Sequence, residues 1–89
     1  MKITLELFGA SRDFSNKDYL EFNIKDQLQI KGLKKEIINY LEENFKGNKS
    51  FKQIVENSAF CSEDNNIIKD DYKITKDQKI GIIPPIGGG

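Results

Sequence analysis

The chain has 89 residues, which suits one domain with a single modest hydrophobic core. Its 14 Lys and Arg residues balance 14 Asp and Glu residues, and this neutrality argues against a general role in binding nucleic acid or a membrane surface, since both need a basic face. There is no histidine and one cysteine, Cys61, which excludes the usual Cys/His metal sites, Ser/His or Cys/His catalysis, and an internal disulfide.

The first two predicted elements are the strands of an antiparallel hairpin. Residues 2–8 and 18–25 both alternate apolar with polar side chains, and a period of two is typical of half-buried strands. Their apolar positions are Ile3, Leu5, Leu7, Leu20, Phe22 and Ile24. The intervening residues 9–13 interrupt the pattern and predict a turn or loop.

A helix is predicted over residues 30–45, where the apolar side chains recur every three or four positions and the charged ones fall largely off that stripe. Gly47 is the expected stop signal, whereas the start is ill defined, because Gln29 is a weak N-cap and Gly32 disfavours helix. The following residues 48–56 are compatible with a short second helix.

The remaining elements are short, apart from one apolar strand near the C-terminus. Residues 58–62 and 67–69 flank a polar turn and predict a short hairpin, and residues 70–78 resemble a connecting loop. Residues 79–83 are nearly all apolar, which predicts a central strand buried on both faces. The order of elements favours an α+β domain over residues 1–83, followed by a flexible tail over residues 84–89.

The tail has the sequence Pro-Pro-Ile-Gly-Gly-Gly. Pro84 and Pro85 cannot donate to a sheet and favour an extended exit from the domain, while Gly87 to Gly89 lack side chains and have a narrow cross-section. Such a segment is suited to carry the α-carboxylate of Gly89 into the active site of a partner. A loose, inert terminus is the alternative.

Residues 74–89 resemble the C-terminus of the small subunit of molybdopterin synthase, the MoaD-type sulfur carriers of the ubiquitin-like MoaD/ThiS superfamily. That family typically ends in a strand, Pro-Pro, two variable residues and Gly-Gly. Here Ile86 and Gly87 occupy the variable positions, and Gly88 and Gly89 form the terminal pair. The resemblance implies a β-grasp fold, with a mixed sheet of about four to five strands and one main helix packed across one face. The first and last strands would be adjacent and parallel.

The resemblance also implies a carrier that is not an enzyme by itself. An E1-like, MoeB-type adenylyltransferase would use ATP to adenylate Gly89, and a sulfur donor would convert the adenylate to a thiocarboxylate. The tail would then enter the MoaE-type large subunit, which transfers the sulfur to cyclic pyranopterin monophosphate in molybdenum cofactor biosynthesis. No cofactor would be bound permanently, because Gly89 carries AMP and then sulfur in turn, and no metal is expected.

A docking surface follows from the same resemblance. Phe8 and Ile83 match the exposed apolar residues at the end of the first strand and just before Pro-Pro, although Ile83 is aliphatic where an aromatic is often found. Ile67 would be a third member of this surface, Ile86 would lie beside it, and Arg12 matches a basic residue that pairs with acidic groups on the partner. The alternative is that Phe8, Ile67 and Ile83 belong to the core.

Other functions remain open from the sequence. A carrier for thiamin thiazole synthesis would also end in Gly-Gly but usually lacks Pro-Pro, and a ubiquitin-like modifier would join its C-terminus to protein lysines. A β-grasp binding module with an inert tail would tolerate deletion of Gly88 and Gly89. Because the N-terminus lacks a signal-peptide apolar region and no apolar run is long enough to span a membrane, we expect a cytoplasmic protein.

Overall fold

The computed structural model of the protein describes residues 1–46 and 48–85. The strands are β1 Lys2–Leu7, β2 Tyr19–Asn23, β3 Leu28–Gln29, β4 Ala59–Cys61, β5 Ile67–Ile68, β6 Lys73–Ile74 and β7 Gln78–Ile83. The helices are a 3-10 helix Gly9–Phe14, α1 Ile30–Asn44 and α2 Lys49–Asn57.

Five strands form a mixed sheet in the order β2-β1-β7-β4-β5. The first strand, β1, is parallel to the last, β7, and antiparallel to β2, while β4 is antiparallel to both β7 and β5. Helix α1 packs across one face through its buried apolar stripe. This arrangement is the predicted β-grasp fold.

The core lies between α1 and one face of the sheet. In β1 the alternation of the sequence becomes an alternation of burial, and Leu5 pairs with Leu20 on one side and Ile80 on the other. Fourteen hydrophobic residues of the described part of the chain are buried in a single cluster. Each fully buried aliphatic side chain contributes roughly 1.5–3 kcal/mol, so this cluster is the main source of stability.

Two segments predicted as loops contain regular structure. Residues 9–13 belong to the 3-10 helix, whose Phe14 and Ser11 are buried because the helix packs onto the core. The predicted loop over residues 70–78 contains β6, which pairs with β3 in a separate two-stranded sheet, Leu28 opposite Ile74. Strands of two residues are too short to display a period in the sequence.

The start of α1 is determined by the chain segment that crosses it. The backbone N–H groups of Ile30 and Lys31 donate to the carbonyl oxygens of Tyr72 and Asp70, so distant backbone atoms replace a side-chain cap. A Cβ at Gly32 would lie 2.6 Å from Cδ1 of Leu28, so a larger residue in the first turn would require the Leu28 side chain to shift. The predicted stop at Gly47 lies outside the described residues.

The short second helix is confirmed as α2. Its Phe51 packs between the rings of Phe14 and Phe45, with ring centroids 5.0 Å and 5.2 Å apart. No helix in the described part of the chain is long and apolar enough to cross a membrane.

The expectation that β7 is buried on both faces is only partly correct. Ile80 and Ile82 are fully buried toward α1, and Gly81 is buried on the other face, but Ile83 is 38% exposed. On the open face of the sheet, which is the face opposite α1, Gly81 is covered by other side chains. Ile83, at the end of the strand, is left partly uncovered on the same face.

Candidate functional site

Three large hydrophobic side chains are exposed in the described part of the chain: Phe8 at 40%, Ile67 at 64% and Ile83 at 38%. They are the three apolar residues that the resemblance predicted for a docking surface, and none of them belongs to the buried core. We call this set the Phe8 patch. Its role in binding remains a prediction.

Strand register brings the members of the Phe8 patch to the open face of the sheet. Residue Cys61 of β4 pairs with Gly81 on one side and with Ile67 on the other, and residues that pair across strands project to the same face. Ile83 lies two positions beyond Gly81 on β7 and therefore projects to that face as well.

Gly81 permits a close approach at the centre of this face. A Cβ built on Gly81 would lie 3.2 Å from Cε2 of Phe8 and 2.7 Å from Sγ of Cys61. The aromatic ring and the thiol therefore converge over the glycine, and any larger residue would force them apart. Beside them is a shallow cavity of about 350 Å³, which Glu6, Glu63 and other polar residues line on the solvent side.

Charged residues border the cavity. The carboxylate of Glu63 accepts a hydrogen bond of 2.6 Å from the backbone N–H of Lys79, which replaces a strand partner beyond the end of β4. The ammonium of Lys79 lies 4.0 Å from the carboxylate of Glu6 on β1. An apolar centre with a charged border is the usual composition of a protein-binding surface.

The position of Phe8 is set by the buried residue Ser11. Its hydroxyl donates to the carbonyl of Phe8 at 2.7 Å and accepts from the backbone N–H of Phe8 at 2.9 Å. The next residue, Arg12, is exposed and has no carboxylate within ion-pair distance in residues 1–46 and 48–85. Within those described residues, no carboxylate competes with an external anion for its guanidinium.

β7 runs directly into the predicted tail. Pro84 is buried close to Gly9, where a built Cβ would lie 3.9 Å from Cδ of Pro84, whereas Pro85 is exposed. Gly9 has a φ of +56°, a conformation that favours glycine, and it starts the 3-10 helix at the point where the chain leaves the sheet. The predicted site residues Ile86, Gly87, Gly88 and Gly89 lie outside the described residues.

Three supporting residues were not predicted from the sequence, namely Gly81, Ser11 and Glu63. Of these, Gly81 had a signal, because a glycine inside an apolar strand indicates a close approach by another group. The other two act through backbone contacts that no local pattern encodes. Within the described ranges, no cluster of three potential metal ligands is present.

Several solved structures resemble this one, two of which are SAMP1 and a molybdopterin converting factor subunit. SAMP1 from Haloferax volcanii superposes with a TM-score of 0.70 at 10% identity, covering 100% of both chains. The "Putative molybdopterin converting factor, subunit 1" from Pyrococcus furiosus superposes with a TM-score of 0.69 at 16% identity, covering 96% of this chain and 98% of that one. No family model and no curated protein matches the sequence. At these identities the likeness shows the fold alone, which is a ubiquitin-like β-grasp.

Proposed function

We propose that this chain is the sulfur carrier subunit of a molybdopterin synthase. The carboxylate of Gly89 is adenylated, converted to a thiocarboxylate and used to donate sulfur to cyclic pyranopterin monophosphate. The observation that carries the proposal is the exposed Phe8 patch at the end of β7, on a ubiquitin-like fold whose last strand runs into Pro84 and Pro85.

The patch supports docking because exposed apolar side chains that share one face favour a protein partner over water. Phe8 supplies an aromatic anchor, which is a residue type enriched at the centres of interfaces. Arg12 would add a charged contact at the edge of the patch. The partners in this proposal are a MoaE-type large subunit and a MoeB-type adenylyltransferase, which use the same surface in turn.

In this proposal the chain supplies a carboxylate and its partners supply the catalysis. A carboxylate is a poor electrophile until a good leaving group is attached, and the adenylyltransferase provides that group from ATP. Displacement of AMP by a sulfur nucleophile then leaves a thiocarboxylate on Gly89. The catalytic residues would lie on the partners, and this chain would contribute the docking surface and the tail.

The direct test is intact mass spectrometry after incubation with ATP, an E1-like activating enzyme and a sulfide source. The proposal expects a mass gain equal to the replacement of one oxygen by sulfur, and no gain in a variant that lacks Gly89. An unchanged mass with a demonstrably active enzyme would favour a binding module with an inert tail.

The docking surface is tested separately by binding to the large subunit. Phe8→Ala and Ile67→Ser should each weaken binding by about tenfold or more, as expected for residues at the centre of an interface. Lys25→Ser is the control, because Lys25 is exposed and lies beyond the far end of β2. Equal affinities for all three variants would contradict the assignment of the patch.

A second candidate is a ubiquitin-like protein modifier that forms isopeptide bonds with lysines. The fold is as similar to SAMP1 as to the Pyrococcus furiosus protein, with TM-scores of 0.70 and 0.69. The same activated Gly89 would serve both functions, and only the acceptor differs. Conjugation to lysines after activation, without sulfur transfer to a pterin, would favour the modifier; sulfur transfer in thiazole synthesis would favour a thiamin pathway carrier.

A further inference from the structure

A second unfilled surface lies in the helical layer, on the side of the sheet away from the Phe8 patch. It is a groove of about 240 Å³ between the C-terminal half of α1 and the start of α2. Its apolar floor consists of Ile38, Leu41 and Phe45. The groove stays open because Phe51 of α2 packs toward Phe14 and the ring of Phe45.

The rim of this groove is positively charged, although the whole chain is neutral. Lys46, Lys49 and Lys52 line it against the single carboxylate of Glu42. None of these lysines forms an ion pair with a carboxylate in the described part of the chain. Lys49 and Lys52 are three residues apart on α2 and therefore share one face of the helix.

The N-terminus of α2 adds to the positive potential. Its first turn contains no acidic residue, and the side chain of Asn48 makes no capping hydrogen bond, because its carbonyl oxygen accepts from Ser50 instead. A lysine as the first residue of a helix opposes the helix dipole, so the arrangement is locally unfavourable without an external anion. A departure from a local rule of this kind is expected where a surface serves a function.

We propose that this groove binds an acidic amphipathic helix of a protein partner. Apolar side chains of that helix would fill the space above Leu41 and Phe45, and its carboxylates would face Lys49 and Lys52. Helix-in-groove binding suits the combination of an apolar floor and a charged rim. The Phe8 patch lies on the opposite face of the sheet, so the groove binds its helix while the Phe8 patch binds another partner. Binding in the groove does not depend on whether the tail carries sulfur.

The test uses a fluorescein-labelled peptide of about three to four helical turns, with leucines on one face and glutamates on the other. A matched peptide carries lysines in place of the glutamates. We expect the acidic peptide to bind at least about tenfold more tightly than the basic one, with an affinity that falls as salt is added. Equal binding of the two peptides, or no binding of the acidic one at about millimolar concentration, overturns the proposal.

Variants locate the site. The double variant Lys49→Glu/Lys52→Glu should weaken binding of the acidic peptide roughly tenfold, because two attractions become repulsions. The matched control is Lys31→Glu/Lys35→Glu, which reverses two exposed charges on α1 that do not line the groove. An equal effect of both variants overturns the proposal.

Two further measurements complete the test. The groove variant should melt no earlier than the native protein, since an acidic residue in the first turn of α2 agrees with the helix dipole. On titration with the acidic peptide, amide NMR shifts should concentrate at Ile38, Phe45 and Lys49. Shifts centred instead on Phe8 and Ile67 would assign the peptide to the other surface and refute the groove.

Discussion

Gly81→Ala tests the close approach at the centre of the Phe8 patch. The added Cβ would lie 2.7 Å from Sγ of Cys61, where ordinary contact requires about 3.5–4 Å, so the thiol must move. Overpacking of this kind costs about 1–3 kcal/mol, and the lower backbone entropy of alanine offsets about 0.5–1 kcal/mol. We expect a net loss of about 1–2 kcal/mol, which lowers the melting temperature of a domain this size by roughly 5–15 °C.

A double-mutant cycle isolates the cause. Cys61→Ala removes the sulfur, so Gly81→Ala in that background should be neutral or stabilising by up to about 1 kcal/mol, which gives a coupling energy of about 1–3 kcal/mol. Urea denaturation of the four proteins measures these values, with a constant m-value as the check on two-state behaviour. The same loss in both backgrounds would show that the contact with sulfur is not the source of strain.

Three further predictions concern side chains that support the sheet. Ser11→Ala should cost about 0.5–1.5 kcal/mol of unfolding free energy, because the part-buried backbone N–H of Phe8 loses its acceptor; no loss in a urea titration would mean that water replaces the hydroxyl. Glu63→Ala should lower the unfolding free energy by about 0.5–1.5 kcal/mol and raise the rate of hydrogen exchange at the amide of Lys79. Glu63→Gln keeps an acceptor, so both effects should be smaller. Ile82→Ala should cost about 2–5 kcal/mol but Ile83→Ala less than about 1 kcal/mol, since Ile82 is fully buried and Ile83 is not; equal losses would contradict the assigned faces of β7.

Elements with several residues in one repeating pattern were predictable. The paired strands β1 and β2 follow from alternation, and α1 follows from a stripe with helical period, because burial of one face imposes these patterns on the sequence. The sequence also predicts a carrier tail from the Pro-Pro-Ile-Gly-Gly-Gly segment, but residues from Ile86 onward lie outside the described part, so this role stays a prediction.

Elements that depend on distant partners were not predictable. The strand β6 exists only because β3 pairs with it, and the start of α1 is determined by carbonyl groups about forty positions away in sequence, at the backbone of Asp70 and Tyr72. The 3-10 helix was expected to be a loop, because the burial of Phe14 that organises it is a tertiary contact. None of these contacts leaves a local period.

The candidate site was likewise predictable in part. Phe8, Ile67 and Ile83 could be named from the residue types and the resemblance, yet the sequence was equally compatible with their burial, since hydrophobicity alone does not distinguish a core residue from an exposed one. Their exposure was decided by strand register, which sends Ile82 to α1 and its neighbour Ile83 to the open face. Local sequence determined which type of secondary structure each element could form. The packing of the strands with one another and with α1 determined which side chains remain available to a partner, because burial is a property of the assembled layers.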